Sequence, residues 1–495
     1  MTTINAGRRP DAESHGRLLS LRRGPTIGVL PQDGLERVVE AAFGVLQTVG
    51  VAIGARAIRD ELAAAGVEVG ERARFPAALL EDALHLVPRE MLLAARDPAN
   101  DLGVDGTQGW LSTGGRASTF VDHATDERRG STEADVVTAS RLADAIPQLG
   151  FVGPSVAALD VPAGARALHE LHAQVANTAK HVQLEIPAEA SNAEAIVEIA
   201  RAVAGSEEAL RARPVVSALL PTRSPLAFED GGLEVALTLA RAGVPCGFVA
   251  QPVAGTSAPA SLAGALVSAS AGVLAGIATL ELLVPGAPTS FGTRPLLAPA
   301  AGGEPVPGGS HGLLFQMAWV QIARRLGLPA LAGAFATGAR SSDWQAGIET
   351  GLSATAGWMT GPDLLAAAGA RDGGREFSPV AMLLDAELFD LVRRIPLGFE
   401  VDEDALALEV IEKVGPGEHF LGEPHTLRHM REFWTSRYMD TEPWEIWEEG
   451  GKPQPPQRAA ERARELLDSH EPTPLPPAVD DRIREVIAEH ERDHA

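Results

Sequence analysis

The chain has 495 residues, 45% of them apolar, a single cysteine and a formal charge of −24. That apolar share fills a large core, and the acidic balance excludes a nucleic-acid role, because phosphate binding needs a basic face. The lone Cys246 excludes an intrachain disulfide and a cysteine-based zinc site, and it fits a reducing cytoplasm.

Residues 1–30 are rich in Arg and Gly without periodicity, which predicts a flexible N-terminal arm. No apolar run follows Arg8-Arg9 or Arg22-Arg23, as a secretion signal requires. From Gln32 to about Arg96 the pattern is helical, with Leu35, Val38, Val39, Ala42, Phe43, Leu46 and Val49 recurring at three and four before Gly50. Helices at 55–65 and after Pro76 complete a helical domain expected over 31–108.

From Trp110 the rhythm changes to short apolar runs alternating with longer helical patterns. Strands are predicted at 110–113, 151–155, 181–186, 215–220, 246–250, 288–291, 330–334 and 364–368. The helices following them are predicted at 132–146, 163–178, 190–204, 231–242, 258–280, 309–326, 343–358 and 379–394. Eight such pairs over 109–395 predict an α/β fold, a (β/α)8 TIM barrel. A doubly wound sheet would want a Gly-rich dinucleotide turn after an early strand, and the sequence lacks one. Residues 396–495 read as a helical C-terminal extension.

The stretch 242–280 contains no Asp, Glu, Lys or Arg. Pro245, Pro252 and Pro259 break it, and its helical part is built from Ala, Gly and Ser, whereas a membrane span needs roughly 20 strongly apolar residues. It reads as a buried strand and helix. A barrel helix without a charged outer face predicts a subunit interface, hence a homo-oligomer.

Barrels gather their chemistry at the C-terminal ends of the strands. Those ends offer Asp160, Glu185, Arg223, Gln251, Phe291, Arg294, Phe335, Arg340 to Trp344, and Arg371-Asp372. Each has a plain structural alternative. Asp160 and Asp343 precede helices as caps do, Glu185 suits pairing with an arginine, the arginines suit solvated loops, and Phe335 suits the core. There is no His-Glu-x-x-His, P-loop or Gly-x-Ser-x-Gly motif, and no metal site is expected. His169 and His172 read as surface residues.

One set of segments carries a resemblance. Asp343, Gln345, Ala346, Gly347 and Glu349, with Leu46–Val51, Ala94–Pro98, Gln251–Pro259, Pro285–Pro288 and His425–Trp447, resemble the trimethylamine methyltransferase family in order and spacing. The resemblance implies a barrel enzyme that moves a methyl group from a methylated amine to the Co(I) corrinoid of a separate corrinoid protein. The chain lacks an Asp-x-His-x-x-Gly cobalamin signature, so no cofactor is expected on it. Family members acting on trimethylamine carry pyrrolysine. This sequence holds only the standard twenty residues, which points to a quaternary amine such as glycine betaine.

Glu185 and Asp343 are the candidates for catalysis. Phe291, Phe335 and Trp344 are candidates for a cation site, Arg294 and Arg340 for a substrate carboxylate, and Gln251 and Gln345 for further substrate contacts. Two departures stand out: an apolar loop at 295–303 where the family tends to be polar, and Ser378-Pro-Val-Ala at the eighth helix start. The alternatives are a degenerate barrel that binds a methylated amine without transfer, and a barrel lyase or hydrolase working through Glu185 or Asp343.

Overall fold

Eight apolar runs become eight parallel strands: β1 (Gln108–Thr113), β2 (Leu149–Val152), β3 (His181–Glu185), β4 (Val216–Thr222), β5 (Cys246–Ala250), β6 (Thr289–Thr293), β7 (Ala330–Gly333) and β8 (Leu364–Ala368). The structure, a computed structural model, describes residues 18–23, 26–186, 190–298, 304–307 and 309–494. Neighbouring strands pair in parallel, β8 returns to β1 at Leu364↔Trp110, and β1 pairs β2 at Leu111↔Leu149, so the sheet closes. Each strand leads into a helix: α1 (Glu133–Ala145), α2 (Arg166–Ala176), α3 (Ser191–Ala204), α4 (Gly232–Arg241), α5 (Leu262–Leu283), α6 (Gly309–Leu326), α7 (Trp344–Thr360) and α8 (Pro379–Arg394). The expected (β/α)8 barrel is the fold, with all eight strand–helix pairs in their expected places.

The strands are almost wholly buried because both faces are covered, one by the bore and one by the helices. Trp110, Phe151, Leu219, Val249, Leu331 and Leu364 fill the bore. The helical pattern read as far as Arg96 ends earlier than expected. Met91–Leu93 and Leu102–Val104 form an antiparallel hairpin, and its alternate residues Leu93, Leu102 and Val104 close the bottom of the barrel. Lys180 lies at the same end, donating to the carbonyls of Ala143, Ile146 and Leu149 at 2.7, 2.8 and 2.8 Å.

Part of the segment expected as a free arm is tied down. Leu21–Arg22 pair antiparallel with β1, and Arg23 reaches Asp363 at 3.1 Å. Residues 1–17 and 24–25 of that segment lie outside the described residues.

Helix α5 is long and apolar enough to cross a membrane, yet 78% of its most apolar window is buried inside the protein. Gly276 makes that burial close: a Cβ there would sit 2.6 Å from the Phe248 ring on β5. The sequence expectation that the charge-free outer face of α5 meets another subunit is corrected. Helices Gln32–Thr48 and Ala77–Leu86 of the N-terminal region cover it, with Leu35, Val38, Val39, Ala42 and Leu46 in the shared core.

Past α8, residues 395–437 include no buried residue. The chain then returns. Helix Pro455–Ser469 packs on α8 and α1 through Ala459 and Ala463, and Pro477–Asp493 packs on α3 with Ile483, Val486 and Ile487 in the core.

Candidate active site at the barrel mouth

Three buried or half-buried ion pairs ring the C-terminal ends of the strands. The first joins Glu185, the last residue of β3, to Arg294, just after β6, with Arg294 Nη2 donating to Glu185 Oε1 at 2.7 Å. Among the described residues, Glu185 Oε2 and Arg294 Nε are buried without a hydrogen-bond partner. Burial works against the Arg294 charge, but the Glu185 carboxylate more than offsets it and holds the guanidinium pKa above its ordinary value.

The second pair follows β1. Arg116, at a left-handed φ of 43°, donates through Nε and Nη2 to both oxygens of Glu170 on α2, at 3.1 and 3.2 Å. Burial lifts the Glu170 carboxyl above the usual range, opposed by Arg116 and by the Ala158 N–H at 3.0 Å. In the third, Arg371 meets Glu376 at 2.9 Å while Arg128 reaches the same carboxylate at 2.8 Å.

The loop from β7 to α7 is built around Glu349. Its carboxylate accepts from Thr337 Oγ1 at 2.5 Å, from Gly338 N at 2.8 Å and from Gln345 Nε2 at 3.1 Å. Asp343 caps α7, accepting from the N–H groups of Gln345 and Ala346 at 2.9 and 3.2 Å. The Ser341 hydroxyl, first among these donors, holds the Asp343 carboxyl below its ordinary range.

Beside this loop a cavity of about 430 Å³ opens between α7, α8 and the returning tail, lined by Trp344, Thr350, Arg371, Asp385, Leu388 and Tyr438 among others. A neighbouring cavity of about 670 Å³ shares Ser342 and Arg371 and adds Arg340. The Glu185–Arg294 pair lies outside both. Within the first cavity, burial pushes the Asp385 carboxyl up to about 8, against the Gly369 N–H bond at 2.9 Å and the Arg371 charge.

The structure therefore separates the residues that sequence reasoning grouped. Glu185 and Arg294 come together. Arg340 is solvated and touches Asp372 at 3.4 Å, and Gln251 is exposed just past β5. Gln345 braces Glu349, and Asp343 is a cap. Asp160 likewise receives the first N–H of α1, from Glu133 at 2.8 Å.

Two aromatic assignments need correction. Phe291 is fully buried on the outer wall, stacked on Trp319 of α6 with ring centroids 4.0 Å apart. Phe335, at a φ of 67°, turns into the core beside Phe389 of α8. Only Trp344 of the three presents a face, and at 83% exposure it stands in solvent. The expected three-ring cation site is not assembled, because Phe291 has the wrong strand parity and Phe335 the wrong backbone turn.

Arg116, Glu170, Glu376 and Asp385 went unread in the sequence. Glu170 had a signal: with Gln174 it forms an i, i+4 polar pair on a face that also buries Ala167 and Leu171. The two family departures have local explanations. Leu296–Leu297 pair with Val253–Ala254, so the loops after β5 and β6 zip together, and Ser378 caps α8 through the Ala381 N–H at 3.3 Å. Residues 299–303 of the first departure lie outside the described residues.

Among the described residues one group, Asp404, His425 and His429, has ligand atoms close enough to share a metal ion. Arg428 holds Asp404 at 2.9 Å and Glu432 holds His429 Nδ1 at 3.0 Å, so the group reads as an ion-pair network that ties short helices together.

Comparison with known proteins decides the family. The family model for trimethylamine methyltransferase (MTTB) matches residues 5–495. The chain belongs to that family. A glycine betaine methyltransferase of Desulfitobacterium hafniense is 29% identical over 94% of this chain and 97% of its own length. Trimethylamine methyltransferase MttB of the same species is 30% identical over 85% of each chain, and that of Methanosarcina barkeri 28% over 91% and 93%. Among solved structures, the monomethylamine methyltransferase MtmB of Methanosarcina barkeri aligns with a TM-score of 0.50 at 11% identity, covering 89% of this chain and 88% of that one. At that identity the likeness is one of fold. Membership of the MTTB family makes methyl transfer from a methylated amine the activity class of this barrel.

Proposed function

We propose that the barrel transfers a methyl group from a zwitterionic quaternary amine, of the glycine betaine kind, to the Co(I) corrinoid of a separate protein that docks over its mouth. The observation that carries this reading is the Glu185–Arg294 pair, with one buried polar atom on each side that has no partner among the described residues. Each such atom costs about 1–3 kcal/mol. A betaine offers one charge to each: its ammonium lies against Glu185 and its carboxylate takes the free edge of Arg294. The ammonium has no N–H to donate, so Glu185 acts on it through charge alone.

A quaternary amine suits a site without a dedicated acid. The C–N electron pair stays on nitrogen as the methyl leaves for cobalt, and the amine departs neutral. What remains for the protein is to hold the methyl in line with the incoming nucleophile and to exclude water. The bore beneath the mouth is packed with Trp110, Phe151 and aliphatic side chains, which supports a corrinoid held on the partner. We place the protein in the cytoplasm, where a free thiol such as Cys246 stays reduced.

A thermal-shift screen with glycine betaine, carnitine, γ-butyrobetaine, proline betaine, choline and trimethylamine tests the reading. A ligand at 100 times its dissociation constant stabilises by about 2.7 kcal/mol. The midpoint is expected to rise with a betaine and to stay put with choline, which lacks the carboxylate. A rise with choline or trimethylamine alone contradicts the role given to Arg294.

A further inference from the structure

The chain has a formal charge of −24, yet beside the mouth arginines outnumber carboxylates. Arg128 and Arg371 both pair with Glu376, at 2.8 and 2.9 Å, and Arg340 and Arg375 both pair with Asp372, at 3.4 and 2.9 Å. Glu304 adds one further contact, to Arg375 at 3.0 Å. Of these arginines Arg371 is the buried one, at 5% exposure.

A guanidinium carries five N–H donors. Among the described residues Arg371 makes a single hydrogen bond, from Nη1 to Ser342 Oγ at 3.3 Å, and its Nε is buried without a partner. The contact with Glu376 is one of charge alone, since Glu376 Oε1 also lacks a hydrogen-bond partner among the described residues. Buried polar groups are satisfied as a rule, so donors left open on a cavity wall call for an acceptor from outside the chain.

Arg371 stands on the wall of the 430 Å³ cavity between α7, α8 and the returning tail. Much of that wall is apolar, with Leu384, Leu388, Tyr438, Met439 and Pro455, while Gly347 and Ala381 leave the space open. Small-molecule sites occupy about 300–1,000 Å³ and are built this way, mostly apolar with a few polar groups that fix the ligand. Asp385 supplies a second polar group. Its Oδ2 accepts from the Gly369 N–H at 2.9 Å, and burial lifts the carboxyl to about 8, which leaves Oδ1 a proton to donate at neutral pH. One guanidinium and one neutral acid, both donors, suit a monoanion with paired acceptor oxygens.

We infer that this cavity is an accessory binding site for a medium-chain aliphatic carboxylate, its head on Arg371 and Asp385 and its chain along Leu384, Leu388 and Met439. Glu185 and Arg294 do not line the cavity, so the site is separate from the one that takes the amine. The occupant ties the loop after β8 to the start of α7 and to the tail.

Calorimetric titration of the full-length chain with octanoate tests this. One octanoate is expected to bind per chain. Octanol, which keeps the chain without the charge, and acetate, which keeps the charge without the chain, are each expected to bind about tenfold more weakly or worse. Gly347→Leu fills the cavity without strain, because a Cβ at that position meets nothing within 4 Å, and it is expected to abolish binding while the protein stays folded by circular dichroism. Arg371→Gln is expected to weaken octanoate about tenfold; should that variant not fold, Gly347→Leu decides alone. Arg294→Gln is expected to keep the octanoate affinity. The inference is overturned if millimolar octanoate gives no binding heat, if octanol binds as tightly, or if binding survives Gly347→Leu. Loss of octanoate in a folded Arg294→Gln overturns it too, by moving the anion to the mouth.

Discussion

Glu185 and Phe291 stand at strand ends of the same barrel, and their fates differ for a reason of parity. Glu185 ends β3 facing the mouth, where Arg294 meets it across the barrel. Phe291 faces the helices and stacks on Trp319. In a parallel sheet covered on both faces most strands lack a clean polar–apolar alternation, as the Thr289-Ser-Phe-Gly-Thr293 run of β6 shows, so inward and outward residues are not marked there in the sequence. Strand ends were therefore legible, but side-chain direction was not. The partnership of residues 185 and 294 was equally hidden, because it depends on closing the sheet between strands far apart in the chain. The stability consequences separate cleanly. Phe291→Ala is expected to cost about 3–5 kcal/mol in urea denaturation as a core cavity, and Trp344→Ala to stay within about 0.5 kcal/mol as a surface change. Arg294→Met is expected to cost about 3–5 kcal/mol, because it strands the Glu185 charge in a buried setting.

Asp385 adds a pH dependence at the same scale. Burial pushes its carboxyl up to about 8, well above the roughly 3.9 of an unfolded aspartate. The native state then holds the proton more tightly than the unfolded state. Its contribution is fully present below about pH 4 and is lost as the pH rises through about 8. Urea midpoints taken at about pH 5 and about pH 8 are expected to fall across that interval, and Asp385→Asn to flatten the slope. An unchanged slope in that variant would assign the dependence to another group.

At the level of elements, the periodic signals carried through. All eight barrel helices formed where three-and-four spacing placed them, and the unit around Asp343 is a strand, a polar loop and a capped helix as its residues suggest. The exception was α5, whose lack of charge gave no clue to what covers it. A buried helix reads the same whether its cover is another subunit or an earlier part of the chain, and here the cover is the N-terminal helices. Gly276 fixes how close α5 comes to β5, so Gly276→Val is expected to cost about 1–3 kcal/mol by overpacking against Phe248. Asp343→Ala is expected to lower the melting midpoint through loss of the cap while leaving any ligand-induced shift intact. Loss of that shift in Asp343→Ala would return the residue to the site.

For the molecule as a whole, the fold and the family lay within reach of the sequence because both are written in order and spacing over nearly the full chain. The candidate site was legible only in part, since its charges pair between elements far apart in the chain: Arg116 with Glu170, Glu185 with Arg294, and Arg371 with Glu376. A barrel mouth of paired charges over a packed bore suits recognition of a zwitterion more than assembly of an aromatic cage. Binding of glycine betaine and its analogues to the wild type, Glu185→Gln and Arg294→Gln tests this most directly, read as the ligand-induced change in melting midpoint. The account predicts that one betaine, at 100 times its dissociation constant, stabilises the wild type by about 2.7 kcal/mol and that either substitution erases the effect. A betaine shift that survives both substitutions would contradict it.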